Sequence, residues 1–234
     1  MNRMILAAHQ PQYLPWLGYF DKMDRVDIFV LLDTVQFKKN EWQNRNRIKG
    51  SSGPHWLTVP VRRHFPQRLH QVEIVDPAFR RRHRRSLQSA YGKAPYFRQE
   101  AGILDDLYGR DWTDLSSLNV ESVRSLAGRF GIETPVHLGS EFQDVPDDQA
   151  DDRLIALCRR LGADTYMAGA GGQAYMDLSR WQRAGIGVVF QEFRHPVYPQ
   201  RNGTFVPSLS AVDLLFHCGS EGFVLVRRAR KEAA

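Results

Sequence analysis

Long hydrophobic runs, paired cysteines and metal-ligand spacings are all missing from this 234-residue chain. No apolar stretch approaches the roughly 18 residues that a membrane-crossing helix needs, so no membrane span is expected. Met4-Ile5-Leu6-Ala7-Ala8 is too short for the core of a signal peptide, and a cytoplasmic location is the expectation. The two cysteines, Cys158 and Cys218, lie far apart and read as two buried free thiols in a reducing compartment. No C-x-x-C spacing and no H-E-x-x-H helix occurs, so no metal site is expected; nothing in the sequence indicates which cofactor, if any, is used. Apolar residues at 42% and charged residues at 25% are near the averages for globular chains. That balance excludes wholesale disorder, collagen and coiled coil.

The formal charge of +6 is local in origin. Arg80, Arg81, Arg82, Arg84 and Arg85 form one basic block, and Arg227, Arg228, Arg230 and Lys231 form another within a basic tail at 227–234. Without these two blocks the net charge turns negative. The first block lies in a candidate helix with a narrow apolar stripe of Phe79, Leu87 and Tyr91. It carries none of the interleaved aromatics used to bind single-stranded nucleic acid. We therefore expect these arginines on a solvated face, outside any ligand cavity, because unpaired buried charge is very costly. Nucleic acid is not the expected partner.

Periodicity places a short strand at Met4–Ala8, then a proline-punctuated loop, and then a helix in which Trp16, Leu17, Phe20 and Met23 recur at helical spacing. Asp27–Leu32 is an unbroken apolar run, as in a sheet covered on both faces. Together these form a compact parallel βαβ unit. Residues 56–61 and 69–75 read as strands. Helical patterns follow at 79–91, 96–108 and 115–130, with Gly131 as a C-cap. Residues 135–138 read as a strand, and the six acids between Glu141 and Asp152 as a loop entering a helix. Strands at 165–168 and 186–190 alternate with helices at 153–161, 175–184 and 211–218. The expected fold is one α/β domain over residues 1–234, with a Rossmann-like, mostly parallel sheet and a helical insertion at about 79–130.

Ligands of an open parallel sheet bind beyond the carboxyl ends of its strands. Polar residues gather at four such ends: His9, Gln10, Gln12 and Tyr13; Asp33 and Gln36; the Gly169-Ala170-Gly171-Gly172 loop; and Gln191, Glu192, His195, Tyr198 and Gln200. His9 is suited to general-base work, and Asp33 to orienting it, or to capping a turn. We expect His9, Asp33, the Gly169 loop and Gln200 to line one cavity. The glycines permit close approach of backbone to a ligand and offer amides to an anion at a helix start. They match neither G-x-x-x-x-G-K-[ST] nor a full G-x-G-x-x-G.

The segment Glu41-Trp42-Gln43-Asn44-Arg45-Asn46-Arg47-Ile48-Lys49 combines amides, cations and an aromatic ring. If extended, it presents Asn44, Asn46 and Ile48 on one face and Arg45, Arg47 and Lys49 on the other. Amides and a ring suit sugar or base recognition, and cations suit phosphate. Asn44 and Asn46 are thus expected to matter for function more than for stability, with Arg45 and Lys49 holding a phosphate.

The run His9-Gln10-Pro11-Gln12-Tyr13-Leu14-Pro15-Trp16-Leu17-Gly18-Tyr19-Phe20 resembles the opening signature of the WbqC-like proteins. So do 32–37, 42–49, 56–61, 166–169, the segment His195-Pro196-Val197-Tyr198-Pro199-Gln200, and Pro207 to Phe216 with Ser210 and Asp213. The resemblance implies a bacterial protein of surface-polysaccharide (O-antigen) or other biosynthesis, with a suggested role in transferring an amino acid such as glycine. It carries no established catalytic residues. A looser similarity links the strand, Pro-loop and helix layout to nucleotidylyltransferase-like domains, although Trp16 and Tyr19 stand where those place the histidines of H-x-G-H.

The expected function is a group transferase joining an amino acid or acyl unit to an amino-sugar or amine. The alternative is a non-catalytic module holding a nucleotide or nucleotide-linked sugar. His9 and Asp33 are the catalytic candidates. Gln10, Tyr13, Gln36, Trp42, Asn44, Arg45, Asn46, Lys49, Gly169, Gly171, Tyr175, His195, Gln200, Ser210 and Asp213 are the substrate-binding candidates.

Overall fold

A computed structural model describes residues 3–146 and 149–231. Asp147 and Asp148 of the acidic segment, and residues 232–234 of the basic tail, lie outside the described residues. The central sheet is built from β1 (Ile5–His9), β2 (Ile28–Leu31), β5 (Val136–Leu138), β6 (Thr165–Ala168) and β7 (Gly187–Phe190). A separate antiparallel hairpin joins β3 (Arg45–Gly50) to β4 (Gly53–Thr58). All pairings in the main sheet are parallel, in the order β5-β2-β1-β6-β7. This order corresponds to 3-2-1-4-5 of the six-stranded Rossmann sheet, in which the chain winds outward from β1 first in one direction and then in the other. The connections reverse between β1 and β6, leaving a crevice beyond their carboxyl ends.

Helix α1 (Leu17–Met23) makes the β1-to-β2 crossover and is buried along its whole length. The β2-to-β5 connection carries the hairpin and then four helices, α2 (Phe79–Tyr91), α3 (Phe97–Glu100), α4 (Gly102–Tyr108) and α5 (Leu115–Arg129). The helical pattern at 96–108 is thus broken in two near Ala101. Helices α6 (Ala150–Arg160) and α7 (Leu178–Ala184) make the later crossovers, and α8 (Val212–Cys218) and α9 (Val224–Lys231) end the described chain.

Alternation along β1 explains the layers. Ala7 faces a large core with Leu17, Phe20, Phe29 and the insertion helices. Leu6 and Ala8 face a smaller core with Ile155, Leu157, Tyr166 and Trp181 from the α6 and α7 side. Both faces of β1 are therefore covered, as its unbroken apolar sequence requires.

Two expectations need correction. Residues 69–75 are not a strand: Leu69–Gln71 form a 3-10 turn, and only isolated bridges such as Val61 to Ile74 and Glu73 to Asp114 tie this stretch down. Its β-branched residues suit extended backbone, but no neighbouring strand offers it a continuous ladder. The Gly169 loop opens a 3-10 turn, Ala170–Ala174, and α7 begins only at Leu178, so those amides do not start an α-helix. The basic residues after 226 continue helix α9. Arg227 pairs with Asp24, and Arg230 with both Asp21 and Asp24, clamping α9 onto α1.

The arginine block of α2 lies on an exposed face, as expected. Arg80, Arg82 and Arg84 make ion pairs with Asp111, Asp76 and Asp105, and Arg81 and Arg85 are exposed.

Candidate functional site

The crevice between β1 and β6 opens into two cavities of about 320 Å³ each. They meet at His9, Lys22 and Gly169, which line both. One lobe runs towards α6 and is walled by Gln10, Val35, Leu154, Tyr166, Tyr175 and Met176. The other runs towards the end of β7 and is walled by Trp16, Tyr19, Gly171, Gln191 and Phe193. Along the rim, past β2 and β5, a further cavity of about 420 Å³ shares Leu32 and Arg153 with the first lobe.

His9 ends β1, and its ring packs at 4.8 Å against Tyr19. Its Nδ1 lies 3.0 Å from the Gln10 carbonyl, which can only accept, so Nδ1 carries the proton. That leaves Nε2 as a lone-pair acceptor, with no protein partner among the described residues. Burial, and then the positive charge of Lys22, push His9 down to about 3, so the ring is neutral at physiological pH.

Lys22 projects from α1 beneath the junction. It is 4% exposed, and its Nζ donates to the Ala8 carbonyl at 3.1 Å. Burial lowers it to about 8. Asp21 beside it is turned elsewhere: it accepts from Gln191 Nε2 at 2.7 Å and from Arg230 Nε at 2.5 Å.

Two glycine features shape the second lobe. A Cβ on Gly18 would collide with the indole of Trp16, so glycine lets that ring lie flat on α1 as a wall. At Gly169 and Gly171, by contrast, an added Cβ would meet nothing within 4 Å, and neither has positive φ. Neither packing nor conformation demands glycine there. Their small size keeps the cleft floor open.

The structure thus gathers His9, Gln10, Gly169, Gly171 and Tyr175 from the sequence candidates. It separates the rest, and the expected single cavity with Asp33 and Gln200 is not formed. Asp33 is 4% exposed, accepts from Ser140 N at 2.8 Å, and receives His70 N at its carbonyl; it pins the turn after β2 to the end of β5. It borders a different cavity, with His70, Arg110 and Trp112. Gln36 is exposed and bonded to the Phe37 carbonyl. Tyr13 is buried in the insertion core, its hydroxyl between His83 Nδ1 and the Tyr108 hydroxyl.

Asn44 and Asn46 are fully buried. Asn44 donates to the Val59 carbonyl and accepts from Asn40 N; Asn46 donates to the Leu14 carbonyl at 2.6 Å and accepts from Arg47 N. Both tie the hairpin to its surroundings and have little left to offer a ligand. Trp42 packs on Trp56, over which Arg45 stacks at 4.2 Å, on the outer side of the hairpin.

Lys49 and Gln200 belong to a second buried centre. Lys49 Nζ donates to Gln200 Oε1 and to the Thr204 carbonyl, while Asp213 Oδ2 accepts from Tyr198 and Gln200. Burial pushes Asp213 up. Ser210 caps the entry to α8 through Val212 N, and His195 donates to the Pro196 carbonyl among Tyr198 and Phe205. This centre fastens the 191–210 loop to β3 and α8.

Sequence reasoning missed Lys22 and the aromatic pair Trp16 and Phe193. The available signal was a lysine inside a very short helix between two buried strands, where both sides of α1 must face protein.

A five-stranded parallel sheet in this order, with its cleft at the switch point, defines a Rossmann-like α/β protein. Comparison with known proteins narrows this: the chain belongs to the WbqC-like protein family, whose model matches residues 10–224. It is 33% identical over 230 residues to an uncharacterized protein of Mycobacterium tuberculosis, Rv1507c, covering 97% of this chain and 99% of that one. No solved structure matches. No described helix is long and apolar enough to cross a membrane, and no cluster of metal-ligating side chains occurs among the described residues.

Proposed function

We propose that the protein is a group transferase of bacterial surface-glycan or small-molecule biosynthesis, moving an amino acid (glycine-like) or acyl unit to an amino-sugar or amine. The observation that carries this reading is the bare Nε2 of a neutral His9 at a junction open to two lobes. Two lobes suit two substrates, and a neutral imidazole at their meeting point suits proton transfer between them. The acceptor nitrogen attacks the carbonyl carbon of an activated acyl donor. The C–N bond forms, the bond to the leaving group breaks, and the proton of the attacking nitrogen passes through His9 Nε2 to the leaving group. Tyr175 and Gln10 line the first lobe as substrate contacts, and the Gly169–Gly171 backbone lines the floor.

With His9 pushed down to about 3 by burial and by Lys22, the base is weak until its surroundings change. The test is a mass-spectrometric assay for amide formation, using activated glycine and alanine donors against a panel of amino-sugars. His9→Gln keeps the ring's size class but loses the proton shuttle, and is expected to lower turnover about 100-fold or more. Donor and acceptor consumption unaffected by this change would remove His9 from the reaction. Saturable binding of a nucleotide-sugar without product would favour the alternative, a non-catalytic binding module.

A further inference from the structure

Lys22 is a buried cation without a counter-ion among the described residues. Its ammonium has three donors, and one goes to the Ala8 carbonyl. The nearby acids make their hydrogen bonds to other groups, and none forms an ion pair with Lys22 among the described residues. Asp21 serves Arg230 and Gln191, and Asp151, the one carboxylate lining the first lobe, accepts from Asp177 N and Trp181 Nε1. The second lobe has no carboxylate in its lining. An unpaired buried charge carries a penalty of several kcal/mol, and the lowered proton affinity of Lys22 reflects it. The position of the charge is specific: beneath the junction, lining both lobes, and close enough to His9 to depress its basicity.

We propose that the junction is an oxyanion seat, in which Lys22 Nζ binds the carboxylate or phosphate of one substrate and so places that substrate's reacting group at His9 Nε2. The seat deepens the transferase reading and rests on it for the identity of the reacting group. The anion supplies the counter-charge that the fold withholds. It also opposes the charge of Lys22, which after burial is the lesser of the two effects that lower His9, so a substrate entering the seat shifts its own base towards greater strength. Proton transfer is thereby favoured only when the cleft is loaded. The seat replaces Arg45 and Lys49 as the phosphate contact, since Lys49 is bonded to Gln200 and Thr204 and Arg45 lies over Trp56 on the hairpin, away from the cleft lining.

The experiment compares thermal unfolding of the full chain in sodium chloride, inorganic phosphate and sodium acetate at equal ionic strength. Wild type is expected to rise by roughly 5 °C or more at saturation. A response to phosphate alone identifies a phosphorylated substrate, and a response to acetate alone a free carboxylate. Lys22→Met should melt at or above wild type in chloride, because an unpaired buried cation is replaced by an apolar chain of similar length, and should show no oxyanion shift. Lys22→Arg should retain part of the shift. No response in wild type, or an undiminished response in Lys22→Met, overturns the seat. A Lys22→Met protein that fails to fold also counts against it, because it makes the lysine a structural strut.

An NMR titration of the His9 ring in the wild-type protein gives an independent readout. Its pKa should rise when phosphate or acetate binds, and an unchanged value overturns the coupling. The two readings fail separately. Oxyanion binding without amide product leaves the seat standing and removes the transferase, whereas amide formation unaffected by Lys22→Met does the reverse.

Discussion

Lys22 and Lys49 are both almost wholly buried, at 4% and 3% exposed, yet they do opposite things. Lys49 donates to Gln200 and to the Thr204 carbonyl, and Gln200 in turn bonds Asp213 and Val206. Both Lys49 contacts close on the protein and make an anchor for the 191–210 loop, although Asp213 Oδ1 and His195 Nε2 of the same centre are buried without a hydrogen-bond partner. Lys22 has one hydrogen bond and an open cleft above it. The lesson is that burial alone does not distinguish a strut from a site. What distinguishes them is whether the protein already supplies the partners.

The acid limb of the stability curve tests the cleft side of this comparison most severely. His9 is pushed down to about 3 and His83 to about 4, both first by burial, against an ordinary 6.5. The native state thus binds fewer protons than the unfolded chain below pH 6.5. The stability from these groups is fully present above that value and lost as pH falls towards 4 and 3. The full loss is on the order of 5 kcal/mol for His9 and 3 kcal/mol for His83. Urea unfolding at pH 7, 5.5 and 4.5 should show the decline, with a shallower slope in His9→Gln for the cleft and in His83→Gln for the insertion core. A flat profile would mean that these rings are hydrated in solution.

Asn46→Ala comes next, because it removes a donor from the Leu14 carbonyl and an acceptor from Arg47 N, both at a buried site. A destabilisation of about 3 kcal/mol is expected in chemical denaturation. A value below about 1 kcal/mol would return this asparagine to the list of ligand contacts. Lys49→Met should lose about 2 kcal/mol, since the Thr204 carbonyl and Gln200 lose a donor. If Lys49→Met and Lys22→Met instead melt alike, the contrast between strut and site is void. The smallest effect belongs to the exposed Arg81, where Arg81→Ala should change stability by less than about 0.5 kcal/mol.

Local pattern carried much of the architecture. The parallel β1–α1–β2 unit, the helices of the insertion, the exposed arginine face and the later strand–helix alternation all follow from hydrophobic period and capping, which neighbouring residues settle among themselves. The same period correctly grouped Asn44, Asn46 and Ile48 on one face. Ile48 was the signal that this face turns inward, and it is 0% exposed. The 69–75 stretch misled because β-branched composition describes a willingness to extend, whereas a strand also requires an adjacent edge.

The candidate site was legible as a rim and not as a cavity. His9, Gln10, Gly169, Gly171 and Tyr175 come together because strand-end placement follows from the sequence of a parallel sheet. Which strand lies beside β1 does not follow from it, and that neighbour, β6, decides where the crevice opens. Asp33, Gln200 and Lys49 were drawn away by partners distant along the chain, such as Ser140 and Thr204. Lys22 is left without a counter-ion because Asp21 faces Arg230 of α9, some two hundred residues later in sequence. Short-range periodicity assigns a residue to a face of its own element. The partner that satisfies or abandons its charge is set by long-range packing, and only the tertiary structure decides that.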